Sequence, residues 1–412
     1  MKKTILPVCA ALLLTAGLVS CGNGGDTTNK AKTVSLSVWV PTEQVAWATE
    51  RIEAFKAQYP NTTYNITVSA CAEGDVKTQI TQDPTATADV FFFAGDHLGP
   101  LVDGGFLYEF PSQFVSALGT EINESVLSSA MVGEKLYGIP YTPNSYFMYY
   151  NGDKVTSEEA KDLDTLLTKG KVIFDIDNGW YQTAFWYGTG VRFFGPEGSD
   201  PTVANLNSAE GKLAAKAIRD YTVNEENFIN GGDDEIKADF KKDSDVVAAI
   251  GGNWLSTDLI LEFGNSLRAT TLPTFTAGGS KYDLTATGDW KKCGISRYTD
   301  APEDALNLAV WLTNKDSMLQ KLSLFNETPV LNSLATNEAV TSNEIVSALM
   351  TQTNTNCVRQ PVIAQMSNWW DAATAYANAL IEARNGDIEF TDAQCEEWAE
   401  KLQGDLLKVI GG

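Results

Sequence analysis

Asp89-Val90-Phe91-Phe92-Phe93-Ala94-Gly95-Asp96-His97-Leu98-Gly99 contains the change from strand to helix on which the fold assignment turns. After Asp89, its first half is an unbroken apolar run, short and rich in aromatics, as expected of a strand covered on both faces. Its second half changes character: Asp96 stands at a helix start, and Gly104-Gly105 marks that helix's end. Toward the N-terminus, Val34, Leu36, Val38 and Val40 alternate with Ser35, Ser37 and Trp39, the period of a strand. Val45, Ala48, Ile52, Phe55 and Tyr59 then recur every three or four positions and predict a helix stopped by Pro60. Tyr64, Ile66 and Val68 alternate again. Strands and helices taking turns in this way predict an open, mostly parallel α/β sheet flanked by helices.

The pattern restarts after Tyr149-Tyr150. Residues 171–176 read as a strand, Leu213, Ala214, Ala217, Ile218 and Tyr221 as a helix face, and residues 246–250 as a strand broken by Gly251-Gly252. A strand near Ile295 precedes a helix with Pro302 in its first turn. The C-terminal quarter reads as helical, with a capping box from Thr391 to Gln394 before Trp398, Leu402, Leu406 and Val409. No repeat of the length that marks a solenoid is present. Two α/β lobes follow from this restart.

The first residues read as an export leader. Lys2 and Lys3 precede an apolar run, Ile5 to Val19, which is shorter than the ~20 residues a membrane-spanning helix needs. Leu18-Val19-Ser20-Cys21 has the form of a lipoprotein cleavage signal, so residues 1–20 are assigned as signal peptide and Cys21 as the lipidated first residue of the mature chain. Residues 21–32, rich in Gly, Asn and Thr, read as a flexible tether. The 412-residue chain has a formal net charge of −23, which disfavours nucleic acid and direct adhesion to anionic lipid. Acyl chains would therefore hold the protein at the membrane. Cys71, Cys293, Cys357 and Cys395 permit three disulfide pairings or none. His97 is the single histidine, so no multi-histidine metal centre is expected.

No G-x-S-x-G elbow, phosphate-binding loop or H-E-x-x-H pattern is present. A glycosidase carboxylate pair is not excluded by counting, but 53 acidic residues make a chance pair the expectation. The aromatics say more. Trp180-Tyr181, Phe185-Trp186, Trp254, Trp290 and Trp369-Trp370 fall at expected element ends or loops. A sugar ring has one apolar C–H face and a rim of hydroxyls, so it needs flat aromatic platforms beside amides and carboxylates. Tyr149-Tyr150 also raises ferric ion as a ligand, but Tyr146, Met148 and Tyr150 alternate as in a plain strand.

In order along the chain, five stretches carry a resemblance: the segment 89–99; Lys135-Leu136-Tyr137-Gly138-Ile139-Pro140 through Tyr149-Tyr150-Asn151; Ala249-Ile250-Gly251-Gly252-Asn253-Trp254; Leu272-Pro273-Thr274-Phe275; and Gln365-Met366-Ser367-Asn368-Trp369-Trp370. On these the sequence resembles family 1 of the extracellular solute-binding proteins, and within it the maltose/maltodextrin binders of sugar ABC importers. The resemblance implies a two-lobed, type II periplasmic-binding-protein-like fold joined by hinge strands. It places residues 33–142 and 291–337 in one lobe and 143–290 and 338–412 in the other. It also implies capture of a sugar, an oligosaccharide such as a maltodextrin-like glycan, by hinge closure and delivery to importer permease subunits by a monomer without cofactor or metal.

Residue by residue, the resemblance assigns ligand contact to Glu43, Phe93, Asp96, His97, Asn144, Asn178, Trp180, Trp254 and Trp370. Phe93 stands where the family stacks a tryptophan, His97 and Thr374 where it has arginines, Gln44 where it has a lysine, and Asn144 and Asn178 where it has glutamates. Charged partners exchanged for amides point away from maltose itself. The rival expectations are a lipid-anchored glycoside hydrolase, a binder of a polyamine, peptide or metal, and a sensor component.

Overall fold

The structure is a computed structural model that describes residues 32–409. The expected signal peptide and the acylation site Cys21 lie outside the described residues. So does the tether apart from Lys32, which opens the first strand.

Two separate sheets organise the chain. In the first the strands run in the order Cys357–Arg359, Ala286–Ile295, Val90–Phe93, Lys32–Val40, Thr62–Ala70, with Ile139–Asn144 also paired to Ala286–Ile295. In the second the order is Leu267–Thr270, Phe147–Asn151, Val246–Gly251, Lys171–Phe174, Phe228–Asn230. Parallel pairing holds where strand and helix alternate: Val38 faces Val68 and Val90, and Ile173 faces Ile229 and Ala249. Antiparallel pairs enter at the strands by which the chain changes sheet. Ala286–Ile295 runs antiparallel to both Val90–Phe93 and Ile139–Asn144, and Phe147–Asn151 runs antiparallel to both of its neighbours. Both sheets are therefore mixed, because a strand returning from the other half enters against the direction of the βα units.

The sequence pattern explains these elements. All four residues of Val90–Phe93 are fully buried, and each Phe contributes ~1.5–3 kcal/mol by leaving water. The alternating Val34, Leu36, Val38 and Val40 are buried, and the helix Val45–Gln58 covers them with Trp47, Ala48, Ile52 and Phe55. The capping box of Thr391 and Gln394 forms at the start of the helix Asp392–Leu406.

Each sheet has its own core. Val34, Val90, Phe92, Cys293 and Ile295 share one, whereas Met148, Phe174, Phe185, Trp369 and Ala286 share another. The strand Ala286–Ile295 thus begins in one core and ends in the other. Only Ser145 and Tyr146 separate Ile139–Asn144 from Phe147–Asn151. The two crossings are pinned together: Ser145 Oγ donates to the Thr287 carbonyl at 2.8 Å, and Thr287 N donates to the Tyr146 hydroxyl at 3.2 Å. A third passage leads from the helix Lys315–Phe325 to Glu344–Thr355, whose Ile345, Ala348 and Leu349 pack under the second sheet.

Several expected platforms belong to these cores instead. Tyr181, Phe185 and Trp186 are buried in the helix Gly179–Gly188, Trp369 is fully buried, and Trp290 packs on Ile122 and Val126. Phe93 is 0% exposed, enclosed with Phe91, Leu98 and Leu101, so it offers no face to a ligand. Tyr149 and Tyr150 are buried residues of the strand Phe147–Asn151, the element that the alternation of Tyr146, Met148 and Tyr150 predicts. Gln44, expected where the family has a lysine, points inward. It donates to Glu327 and accepts from Lys321, both at 2.7 Å, while the Lys321 ammonium lies 4.2–4.7 Å from the Tyr141, Phe92 and Trp47 ring centres. The four described cysteines are free thiols. Among the described residues no helix is long and apolar enough to cross a membrane.

Candidate ligand-binding cleft

Between the two sheets lies a cleft of about 420 Å³. From the first sheet's side come Asp96, Asn144 and Asp289; from the second come Asn178, Trp180, Trp254, Trp370, Asp371 and Thr374; Gln360 lies where the strand Cys357–Arg359 ends. Six of the nine residues expected from sequence are therefore brought together. A larger hollow of about 760 Å³ lies elsewhere, around Arg219, Arg384 and Phe390. Its arginines are committed to carboxylate and backbone oxygens, Arg384 to the Phe228 carbonyl at 2.7 Å and Arg219 to Asp392 at 2.7 Å. It therefore has the weaker claim to a ligand.

The first wall rests on strand pairing. Asp289 and Asn144 are register partners across the antiparallel pair, so both side chains emerge at one level. The Asp289 carboxylate lies against the α-carbon of Gly95, where a Cβ would meet its Oδ2 at 1.8 Å. Lys292, wholly buried, donates to Asp289 Oδ1 at 3.1 Å and to the Trp290 carbonyl at 2.6 Å. Burial pushes the Lys292 pKa below the usual lysine value, with Asp289 pulling it back. Asp96 follows the strand Val90–Phe93 in a short 3-10 turn.

The second wall supplies flat rings. Trp180 and Trp254 lie 6.1 Å apart at 32°, and Tyr146 meets Trp180 edge-on at 4.8 Å. Asn178 caps the helix Gly179–Gly188 by accepting from Trp180 N at 3.1 Å, and its amide donates to Asp175 Oδ2 at 3.1 Å. Burial, with Asp177 bonded alongside, pushes the Asp175 carboxyl up to about 7. The Trp254 indole N–H donates to Asp233 Oδ2 at 2.7 Å. Trp254 leaves the strand Val246–Gly251 in a turn that Tyr149 steadies, its hydroxyl donating to the Gly252 carbonyl at 3.1 Å. Trp370, Asp371 and Thr374 share the first turns of the helix Ser367–Asn385, and Thr374 Oγ1 donates to the Asp177 carbonyl at 2.6 Å.

Three expected residues lie elsewhere. Phe93 is core. Glu43 is exposed on the turn Thr42–Gln44 and lines no part of the cleft. His97 is 4% exposed and turned into the fold with Nδ1 unpartnered; burial pushes its pKa below the usual imidazole value, against the pull of Asp96. Asp289, Gln360 and Asp371 were missed. Asp289 adjoins Trp290 on a strand whose residues are nearly all buried, so polarity does not mark its outward face.

Flat rings along one wall face carboxylates and amides on the other. Among the described residues no intramolecular side-chain hydrogen bond engages Asp96, Asn144, Gln360 or Asp371, and no group of three or more His, Cys, Asp or Glu is placed to hold a metal. Such a surface stacks the apolar face of a ring and bonds its hydroxyl rim.

The sequence profile of the family described as bacterial extracellular solute-binding protein matches residues 50–348. The galactooligosaccharide-binding protein of Bacillus subtilis is 24% identical over 445 aligned positions, covering 100% of this chain and 99% of that one. A solved complex with acarbose superposes at a TM-score of 0.82 with 29% identity, covering 91% of this chain and 98% of that one. The ligand-free maltodextrin-binding protein MalE1 from L. casei BL23 superposes at 0.82 with 22% identity, covering 92% and 100%, and supports the two-lobed fold.

Proposed function

Because the chain belongs to the bacterial extracellular solute-binding proteins, we propose that its cleft captures an oligosaccharide outside the cytoplasm and that the closed form hands it to the permease of an ABC importer. The observation that carries this is the Trp180–Trp254 pair facing Asp96 and Asn144 across the cleft. The relative named for galactooligosaccharide and the related complex with acarbose point to the same ligand class. The expected lobes, 33–142 with 291–337 and 143–290 with 338–412, would close about the crossings near 144–147, 286–290 and 326–343, with Asn144, Asp289 and Trp290 at the hinge edge staying with the first sheet. Ligand touching both walls favours the closed population. The protein binds without cutting, acts as a monomer, and is held to the membrane through acylated Cys21.

The test is calorimetric titration with malto- and galacto-oligosaccharides of two to five units, followed by chromatography of the recovered sugar. At least one series binds and returns uncut, and Trp180→Ala or Trp370→Ala weakens it by ~1–3 kcal/mol. Release of shorter sugars would make the protein a hydrolase. Silence across the panel, together with a melting-temperature rise on adding polyamines or metal ions, would move it to another solute class.

A further inference from the structure

We propose that Asp233, which lines no part of the cleft, is a positioning residue for the ligand: it holds the Trp254 indole at the angle from which the ring meets a saccharide. The proposal rests on reading the cleft as a saccharide site.

Trp254 is 40% exposed on a short turn, so packing alone leaves its ring several rotamers. Three contacts narrow that choice. Beneath the ring lies Gly252, where a Cβ would stand 2.0 Å from the indole carbons. Beside it lies Trp180, 6.1 Å away and tilted by 32°. At its rim the N–H donates to Asp233 Oδ2 at 2.7 Å. The first two contacts are apolar and carry no directional preference of their own. The hydrogen bond is directional and fixes which edge points to the protein.

Asp233 is itself well placed. It opens the helix Asp233–Asp239, whose entry is closed by Gly232 N donating to Glu235 Oε2 at 3.0 Å. Burial raises the Asp233 carboxyl above its ordinary pKa, while the indole bond and Lys237 pull the other way. A ring fixed before ligand arrives loses no rotamer freedom on binding, and that freedom corresponds to about 3- to 10-fold in affinity.

The experiment titrates maltotriose and galactotriose into the full chain and into Asp233→Ala, Asp233→Asn, Trp254→Phe and the Trp254→Phe/Asp233→Ala double variant. Solvent exchange of the indole N–H resonances is followed in the ligand-free proteins. Asp233→Ala is expected to weaken binding about 3- to 10-fold at unchanged melting temperature. Asp233→Asn, whose amide oxygen still accepts, restores most of the affinity. With Trp254→Phe, which has no N–H, the alanine change adds nothing. The Trp254 N–H is slow to exchange in the parent and fast in Asp233→Ala. Parent-like affinity in Asp233→Ala, or equal losses with and without the indole N–H, overturns the proposal. If neither trisaccharide binds the parent, the saccharide reading falls, and unchanged N–H exchange in Asp233→Ala would then overturn the positioning role separately.

Discussion

Gly95 leaves no space for a side chain, since the Asp289 carboxylate occupies the place of its Cβ. Gly95→Ala should therefore push Asp289 out of the first wall. The expected result is a saccharide affinity at least 10-fold lower, read by calorimetry, with ~1–3 kcal/mol lost in denaturant melts from the overpacked contact. Wild-type affinity in this variant would mean that Asp289 is not used. At this scale the sequence was legible where side-chain direction follows from a backbone break, as for Trp180 after Asn178-Gly179 and Trp254 after Gly251-Gly252. It was illegible where neighbours diverge. Asp289 and Trp290 point to opposite faces of one strand, and Trp369 and Trp370 are a helical step of about 100° apart, so adjacency cannot say which one meets the cleft.

The loop from the strand Lys171–Phe174 to the helix Gly179–Gly188 carries two carboxyl groups, Asp175 and Asp177, under the cap formed by Asn178. Burial first, then Asp177, raises Asp175 to about 7. Unfolded, the group titrates near 3.8, so between these values the native state alone holds the proton. Its contribution is therefore most favourable below about 4, is lost as pH rises to about 7, and stays lost above that. Asp175→Asn should melt higher than the parent at pH 8 by ~1–2 kcal/mol, a figure discounted because solvent reaches the group, and the gap should close toward pH 4. A constant gap across that range would contradict the assignment. The strands and helices were visible because period two and period 3.6 are local properties. Antiparallel entry of Ala286–Ile295 was not, because strand direction depends on where the chain has come from.

Across the whole molecule, two cores with separate sheets are joined by three passages of chain. If the cleft closes on its ligand, small-angle scattering should report a smaller radius of gyration with saturating saccharide, and Trp254→Ala should need more sugar for the same change. An unchanged radius at saturation would rule out hinge closure as the response. The passages also bear on how the protein comes to exist. The strand Ala286–Ile295 sits between Val90–Phe93 and Cys357–Arg359, so the first sheet lacks an inner member until two-thirds of the chain is made. The second half waits for the helices Ser367–Asn385 and Asp392–Leu406. A nascent chain of 200 residues thus has no complete half to collapse into.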